Sequence, residues 1–165
     1  MHDELTKIDI EKMRQEIAER REAEIAQLAE VERTRAYGDL SENAEYKCAK
    51  QELNRNRSRI RYLENMIKTA KVITTDSPAD IVGLFDTIEV YIEDEDVTET
   101  YRIVTTLRND GDTLISKESP LGKALLGRRV GDTVTVVVND RISYDVKITS
   151  LKKGQDDPTI PINRF

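Results

Sequence analysis

The first 75 residues hold a single glycine, Gly38, and no proline. On both sides of it the sequence is rich in Glu, Ala, Arg and Gln, residues that lose little on entering a helix. From about Ile8 to Arg35 nothing interrupts such a helix, and 28 residues at about 1.5 Å each make a rod of roughly 42 Å. Glycine tolerates a positive φ without steric cost, so Gly38 is where a continuous helix ends or reverses. The second segment, about Leu40 to Lys71, carries Ala49, Leu53, Asn56, Ile60, Leu63, Ile67 and Ala70 at alternating spacings of four and three. That is a heptad seam, and it needs a partner.

The partner is the first segment, whose apolar residues include Ile10, Met13, Ile17, Ile25, Leu28 and Val31. Folding the chain back at Gly38 sets Leu53 near Ile25, Ile60 near Ile17 and Ile67 near Ile10. Asn56 then faces Arg21, a polar layer that specifies register. The expectation is an antiparallel coiled-coil hairpin over residues 1–75, with its tip near 37–46 and residues 1–7 frayed.

Past residue 75 the pattern changes. Residues 74–83, with Ser77-Pro78, read as a linker, and the apolar period beyond it falls to about two. Strands are expected at Thr87–Ile92, Thr100–Thr106, Thr113–Ser116, Thr133–Val138 and Ile142–Leu151, with Asn139-Asp140 turning the last hairpin. Ser119 before Pro120 is an N-cap followed by proline at the first helical position, so Pro120–Leu126 is one short helix. The fold class is α+β in two domains. The second, residues 76–153, is an antiparallel sheet with that helix, and residues 154–165 form an extended or disordered tail.

Charge is unevenly placed. Residues 1–45 hold 7 basic against 13 acidic side chains, residues 46–71 hold 8 against 2, and the net charge is −6. An acidic protein with one basic helix is a poor free duplex binder, because phosphate contacts reward overall positive charge. Cys48 is the only cysteine, which excludes a disulfide framework or a CxxC pair. No apolar leader and no apolar run near 18 residues is present, so no membrane association is expected and the cytoplasm is the expected compartment.

The chemistry-bearing residues gather at the bend. Asp39 and Glu42 stand three apart, which suits a capping box with Asp39 as N-cap of the second helix and Glu42 at N3. Both carboxylates are also ionised at pH 7 and offer hard oxygens to a cation such as Mg²⁺. Two carboxylates do not fill an octahedral shell, so other ligands would come from a partner. Glu45 reads as a solvated residue and Tyr37 flanks the bend. Arg35, Lys47 and Lys50 surround the tip with positive charge. The run Arg55, Arg57, Arg59 and Arg61 either pairs with Glu19, Glu22 and Glu24 of the facing helix or contacts a polyanion. Glu93-Asp94-Glu95-Asp96 reads as a solvated loop.

Gly38-Asp39-Leu40-Ser41-Glu42-Asn43-Ala44-Glu45-Tyr46, followed by Ala49-Lys50, resembles the tip motif of bacterial Gre transcript-cleavage factors, the GreA branch in particular. The similarity continues through Arg59-Ile60, Leu63-Glu64 and Ala70-Lys71-Val72-Ile73. It resumes at Tyr101-Arg102-Ile103-Val104, Ile115-Ser116, Ser119-Pro120-Leu121, Ala124-Leu125-Leu126-Gly127 and Gly131-Asp132, covering about residues 8–152. The resemblance implies an FKBP-like second domain that docks on polymerase. It implies a hairpin that enters the secondary channel of a backtracked bacterial RNA polymerase. Asp39 and Glu42 would help hold a Mg²⁺ shared with the polymerase, with none bound by the isolated protein. The factor would be no enzyme itself but would stimulate the polymerase's own RNA cleavage. Arg35, Lys47 and Lys50 would contact the RNA 3′ end, and DNA would be met only through the elongation complex. The chain departs from the family pattern at Thr105, where a glycine is usual, and at Leu107-Arg108-Asn109, where an acidic signature is usual. Cys48 replaces a small alanine, and the tail runs past the usual end.

Overall fold

The computed structural model of the chain describes residues 3–38, 43–108 and 111–163. The chain divides into two compact units, Met1–Asp3 with Ile10–Ala70, and Glu4–Asp9 with Lys71–Phe165.

The first unit is the pair of helices α1 (Lys7–Arg35) and α2 (Ala44–Thr69). On α2 most of the expected seam is buried: Ala49, Leu53, Asn56, Ile60 and Leu63 are inside with Arg59, but at the far end Met66 is buried while Ile67 and Ala70 are only half-buried. On α1 the inward face is different from the expected one. From Met13 onward its buried and half-buried positions are Met13, Glu16, Ile17, Arg20, Glu24, Gln27, Val31 and Thr34, which apart from Glu16 repeat at four and three. Ile25 is 72% exposed and Leu28 40%, so neither seats against Leu53. The heptad phase set by Met13 and Ile17 leaves them off the seam. Polar residues take the places instead: Arg20 bonds Asn56 and Glu24 bonds Arg57.

The polar layer is bonded one residue away from the expected position. Asn56 Nδ2 donates to the Arg20 carbonyl at 2.8 Å, and Arg20 Nη1 donates to Asn56 Oδ1 at 3.2 Å. Arg21 pairs with Glu64 instead. Beside this layer Glu16, 4% exposed, accepts from Arg59 Nε at 3.0 Å and from Arg20 Nε at 2.7 Å. Burial pushes the Glu16 carboxyl up, but the bonds from Arg59 and Arg20 more than reverse this and hold it below the ordinary range. Arg57 reaches Glu24 at 2.5 Å. Of the three acids expected to face the arginine run, Glu24 does so, and Glu16 adds a partner that the spacing did not suggest.

The second unit is a five-stranded sheet in the order β5-β4-β3-β7-β6, made of β3 (Thr87–Ile92), β4 (Val97–Val104), β5 (Leu114–Ser116), β6 (Thr133–Asn139) and β7 (Ile142–Lys152). Its neighbours pair antiparallel except β4 with β5, which run parallel, so the sheet is mixed. Strand alternation buries Ile88 and Val90, Val134 and Val136, and Val146 and Ile148 in one core, closed by Leu125 of α3 (Pro120–Leu125). The Ser119 side chain caps α3 by accepting from Gly122 N. The β6–β7 turn is Asp140-Arg141, with Asn139 Oδ1 accepting from the Arg141 and Ile142 amides. Glu93–Asp96 form the exposed β3–β4 turn, and Asp96 Oδ1 accepts from Tyr91 OH at 2.7 Å.

Two expectations about the chain's ends are corrected. Residues 4–5 are not frayed: they form strand β1 (Glu4–Leu5), which pairs parallel with β2 (Lys71–Val72), and Leu5 is fully buried. A reciprocal capping box starts α1, since Thr6 Oγ1 accepts from Asp9 N and Asp9 Oδ2 accepts from Thr6 N. The tail is extended but not loose. Asp156 pairs with Arg108, Asp157 Oδ2 with Arg102 at 3.3 Å, Asn163 N donates to the Leu107 carbonyl at 2.6 Å, and Ile162 is buried. A side chain at Gly154 would meet the Phe85 carbonyl oxygen at 2.0 Å, so the close approach of the tail requires glycine there.

Arg108 holds this arrangement together. Its guanidinium is fully buried and donates from Nε to Asp9 at 2.7 Å, from Nη1 to the Asp157 carbonyl at 2.9 Å, and from Nη2 to Thr6 and Asp156. It also lies 4.7 Å from the centre of the Phe85 ring. Thr105 adds a bond to Asp9 at 3.1 Å. Thr105 and Arg108 are thus partners in one buried cluster around Asp9.

Candidate functional site

The end of α1 and the start of α2 frame the acidic segment. Thr34 is fully buried, and its Oγ1 bonds back to the Glu30 carbonyl at 2.9 Å and the Val31 carbonyl at 3.1 Å. The Thr34 carbonyl, one of those the helix end leaves without an intrahelical partner, accepts from Tyr37 N at 3.2 Å. Three residues past the end of α1, Gly38 takes φ +106°, a left-handed conformation that glycine adopts at low cost.

The second helix begins later than expected. Its N-cap is Asn43, whose Oδ1 accepts from Tyr46 N at 3.0 Å, and its first residue is Ala44. The cap expected of Asp39 therefore belongs to Asn43, and the N3 place expected of Glu42 belongs to Tyr46. Asn43 Nδ2 also donates to the Thr34 carbonyl at 2.7 Å, joining the two helix ends. Sequence reading passed over this residue. The signal was an asparagine directly before a helix-favouring run, one of the strongest N-cap choices.

Asp39 and Glu42 lie outside the described residues. The residues expected to assist them are described. Arg35 closes α1, and Lys47 and Lys50 lie in the first turns of α2, all three with exposed side chains. The Lys50 ammonium is 5.8 Å from the Tyr46 ring centre, and Arg33 is 5.4 Å from that of Tyr37. Arg33 also bonds Glu30, whose carboxyl it holds below the usual range. Glu45 is exposed in the first turn of α2, where a negative charge favours the helix N-terminus. Further along, Arg61 bonds Ser58 at 3.1 Å while Arg57 and Arg59 turn to the facing helix.

As chemistry, the donor set of the segment is two carboxylates, which suits a hard divalent cation and leaves most of an octahedral shell to be filled. Among the described residues there is no group of three His, Cys, Asp or Glu placed to hold a metal ion. No helix among them is long and apolar enough to cross a membrane.

Two long helices joined end to end, in one chain with a mixed-sheet unit, define a two-part protein. Residues 4–72 match the family model of the transcription elongation factor N-terminal region, and residues 77–153 match that of the GreA/GreB C-terminal region. The chain belongs to the GreA/GreB transcription elongation factor family. It is similar to the transcription elongation factor GreA of Thermoanaerobacter pseudethanolicus, 41% identical over 152 residues that cover 90% of this chain and 96% of that protein. With GreA of Acetivibrio thermocellus the identity is 36% over 152 residues, covering 90% of this chain and 95% of that protein. Among solved structures, GreA factor homolog 1 (Gfh1) of Thermus thermophilus is similar at 23% identity and a TM-score of 0.42, over 93% of this chain and 100% of that one. At that TM-score the family assignment rests on the sequence matches and not on the superposition.

Proposed function

We propose that this protein is a polymerase cofactor that stimulates transcript cleavage. The hairpin enters the secondary channel of a bacterial RNA polymerase whose RNA has backtracked, and it carries Asp39 and Glu42 to the active centre. The observation that supports this most directly is the match of residues 4–72 and 77–153 to the two halves of the family. The N-cap of α2 is Asn43, so the capping role expected of Asp39 is filled by another residue. The length of the helices fits the purpose, because 26 residues of α2 reach about 39 Å.

In the complex Asp39 and Glu42 would hold a Mg²⁺ together with polymerase carboxylates. A second metal in such a site activates water or stabilises the leaving oxygen in phosphodiester hydrolysis. The chain's own contribution is to deliver two ionised carboxylates on a rigid arm. Arg35, Lys47 and Lys50 steer the anionic RNA 3′ end toward them, and the sheet unit serves as the docking module. The isolated protein is then inert toward RNA and binds no Mg²⁺ of its own. Its place of work is the bacterial cytoplasm, where polymerase is found, and it meets DNA only through the elongation complex.

The test uses a halted, backtracked elongation complex and follows shortening of labelled RNA. Asp39→Ala and Glu42→Ala are each expected to keep polymerase binding and the helical circular-dichroism signal while losing at least about a hundredfold in stimulated cleavage, the scale of removing one group that stabilises developing charge. Full stimulation by both variants overturns the reading. Lys50→Glu is expected to lower stimulation mainly through RNA placement, and the loss should persist at high factor concentration.

A further inference from the structure

We propose that the end of the sheet where β3 turns into β4 carries a binding site for a linear polyamine, an alkyl chain bearing two or more ammonium groups. A cavity of about 440 Å³ opens there, lined by Ile92 at the end of β3, Glu99 and Tyr101 of β4, and Ile142 and Tyr144 of β7. Asp94 and Glu95 of the β3–β4 turn complete the lining.

Strand register decides which side chains face it. Glu99 stands opposite Val90 and Tyr101 opposite Ile88, both buried core residues of β3. On β7, Tyr144 precedes the core residues Val146 and Ile148 by two and four places. Directly opposed residues, and every second residue of a strand, share one face. Glu99, Tyr101 and Tyr144 therefore all stand on the core side of the sheet. Ile92, Tyr101 and Tyr144 pack against that core, while Ile142, 55% exposed, carries the apolar surface outward.

The polar groups of this cavity are unspent. Asp94, Glu95 and Glu99 are exposed carboxylates, and among the described residues none of them has a lysine or arginine partner. Asp96 of the same turn, by contrast, is taken by the Tyr91 hydroxyl. The hydroxyls of Tyr101 and Tyr144 have no hydrogen-bond partner among the described residues either. Burial pushes both of these hydroxyls up; Glu99 and Glu95 add to this at Tyr101, and Glu95 adds to it at Tyr144. The field of one carboxylate thus reaches both rings.

The ligand class follows from this combination. Aromatic faces attract a cation, and carboxylates and phenolic oxygens accept from its N–H groups. A hard metal ion would gain nothing from the rings, and among the described residues no three acids are placed to hold one. A single arginine of a protein partner would leave two of the three carboxylates unpaired. A chain of ammonium groups separated by methylenes meets both demands, its methylenes on Ile92 and Ile142 and its charges at the acids.

The experiment titrates the full-length protein with spermidine at physiological ionic strength, by calorimetry and by amide chemical shifts. Putrescine, butylamine, Mg²⁺ and a short arginine peptide are the comparisons. One saturable site is expected, with affinity falling from spermidine to putrescine to butylamine and shifts centred on residues 92–101 and 142–144. Glu95→Gln and Glu99→Gln should each weaken spermidine at least about tenfold, the scale of a lost bond to a charged group. Tyr144→Leu should weaken it about fivefold. Both glutamates are exposed, so their variants should keep the wild-type unfolding midpoint. Glu118→Gln, an exposed acid paired with Lys123, should bind as wild type does. Equal weakening by Glu118→Gln, or a Mg²⁺ response matching that of putrescine, overturns the site and leaves general counterion attraction. Tighter binding of the arginine peptide than of spermidine overturns the polyamine in favour of a protein side chain. Absence of saturable binding at millimolar spermidine overturns both.

Discussion

At Glu16 one carboxylate meets two guanidinium groups, those of Arg59 and Arg20, in a place that water scarcely reaches. Taking one member from such a set leaves a buried charge without its partner, which costs about 3–5 kcal/mol. Glu16→Gln should destabilise the hairpin by about that amount at pH 7, read by urea unfolding followed at a helical wavelength. The pH dependence has a definite sign. The folded carboxyl titrates below its ordinary value, so its contribution is complete above that value and is lost as pH falls through the lowered one. Wild-type stability should therefore drop on acidification below about pH 4, and the part due to Glu16 should be missing from Glu16→Gln. Identical acid profiles for the two proteins would show that Glu16 contributes nothing to the pH dependence.

The two helices illustrate what an element can and cannot do alone. On α2 the buried apolar residues fall on one face, and Leu63 among them is fully buried. On α1 the apolar residues are spread, and the seam is completed by Arg20, Glu24 and Gln27. Identical truncations should then differ sharply. Leu63→Ala should cost about 2–5 kcal/mol through lost burial and a cavity, whereas Ile25→Ala should stay within about 0.5 kcal/mol, as surface changes do. Equal effects in thermal or urea unfolding would mean that Ile25 is seated after all. The heptads of α2 were legible because its seam is apolar. That of α1 was not, because period-based reading follows hydrophobicity and this seam runs through Arg20 and Glu24, which bond Asn56 and Arg57.

For the chain as a whole, the surprise lies in its ends. Residues 4–9 and 154–163 converge on Arg108, which has the Asp9 and Asp156 carboxylates and the Asp157 carbonyl around its buried guanidinium. Asp157 is itself held below the usual carboxyl range, first by the hydroxyl and amide of Thr159 and then by Arg102. Ending the chain at Lys153 should remove part of this shell and uncover the site of Ile162. Its expected effect is a loss of roughly 3 kcal/mol in the sheet unit, read as a lowered thermal midpoint, with Asp156→Ala reproducing part of it. An unchanged midpoint would make the tail a passenger.

What the sequence determined by itself was local and periodic: helix either side of Gly38, most of the α2 seam, the strands from Thr87 onward and the cap at Ser119. Each follows from spacing or from the φ that a single residue type tolerates. Tertiary structure decided the rest. It chose Arg20 over Arg21 for Asn56, buried Arg108 and drew residues 4–9 and 154–163 to it. Those outcomes depend on groups far apart in sequence sharing one desolvated place. A buried donor or acceptor must find a partner among whatever the fold brings near, and no period along the chain records which one that will be.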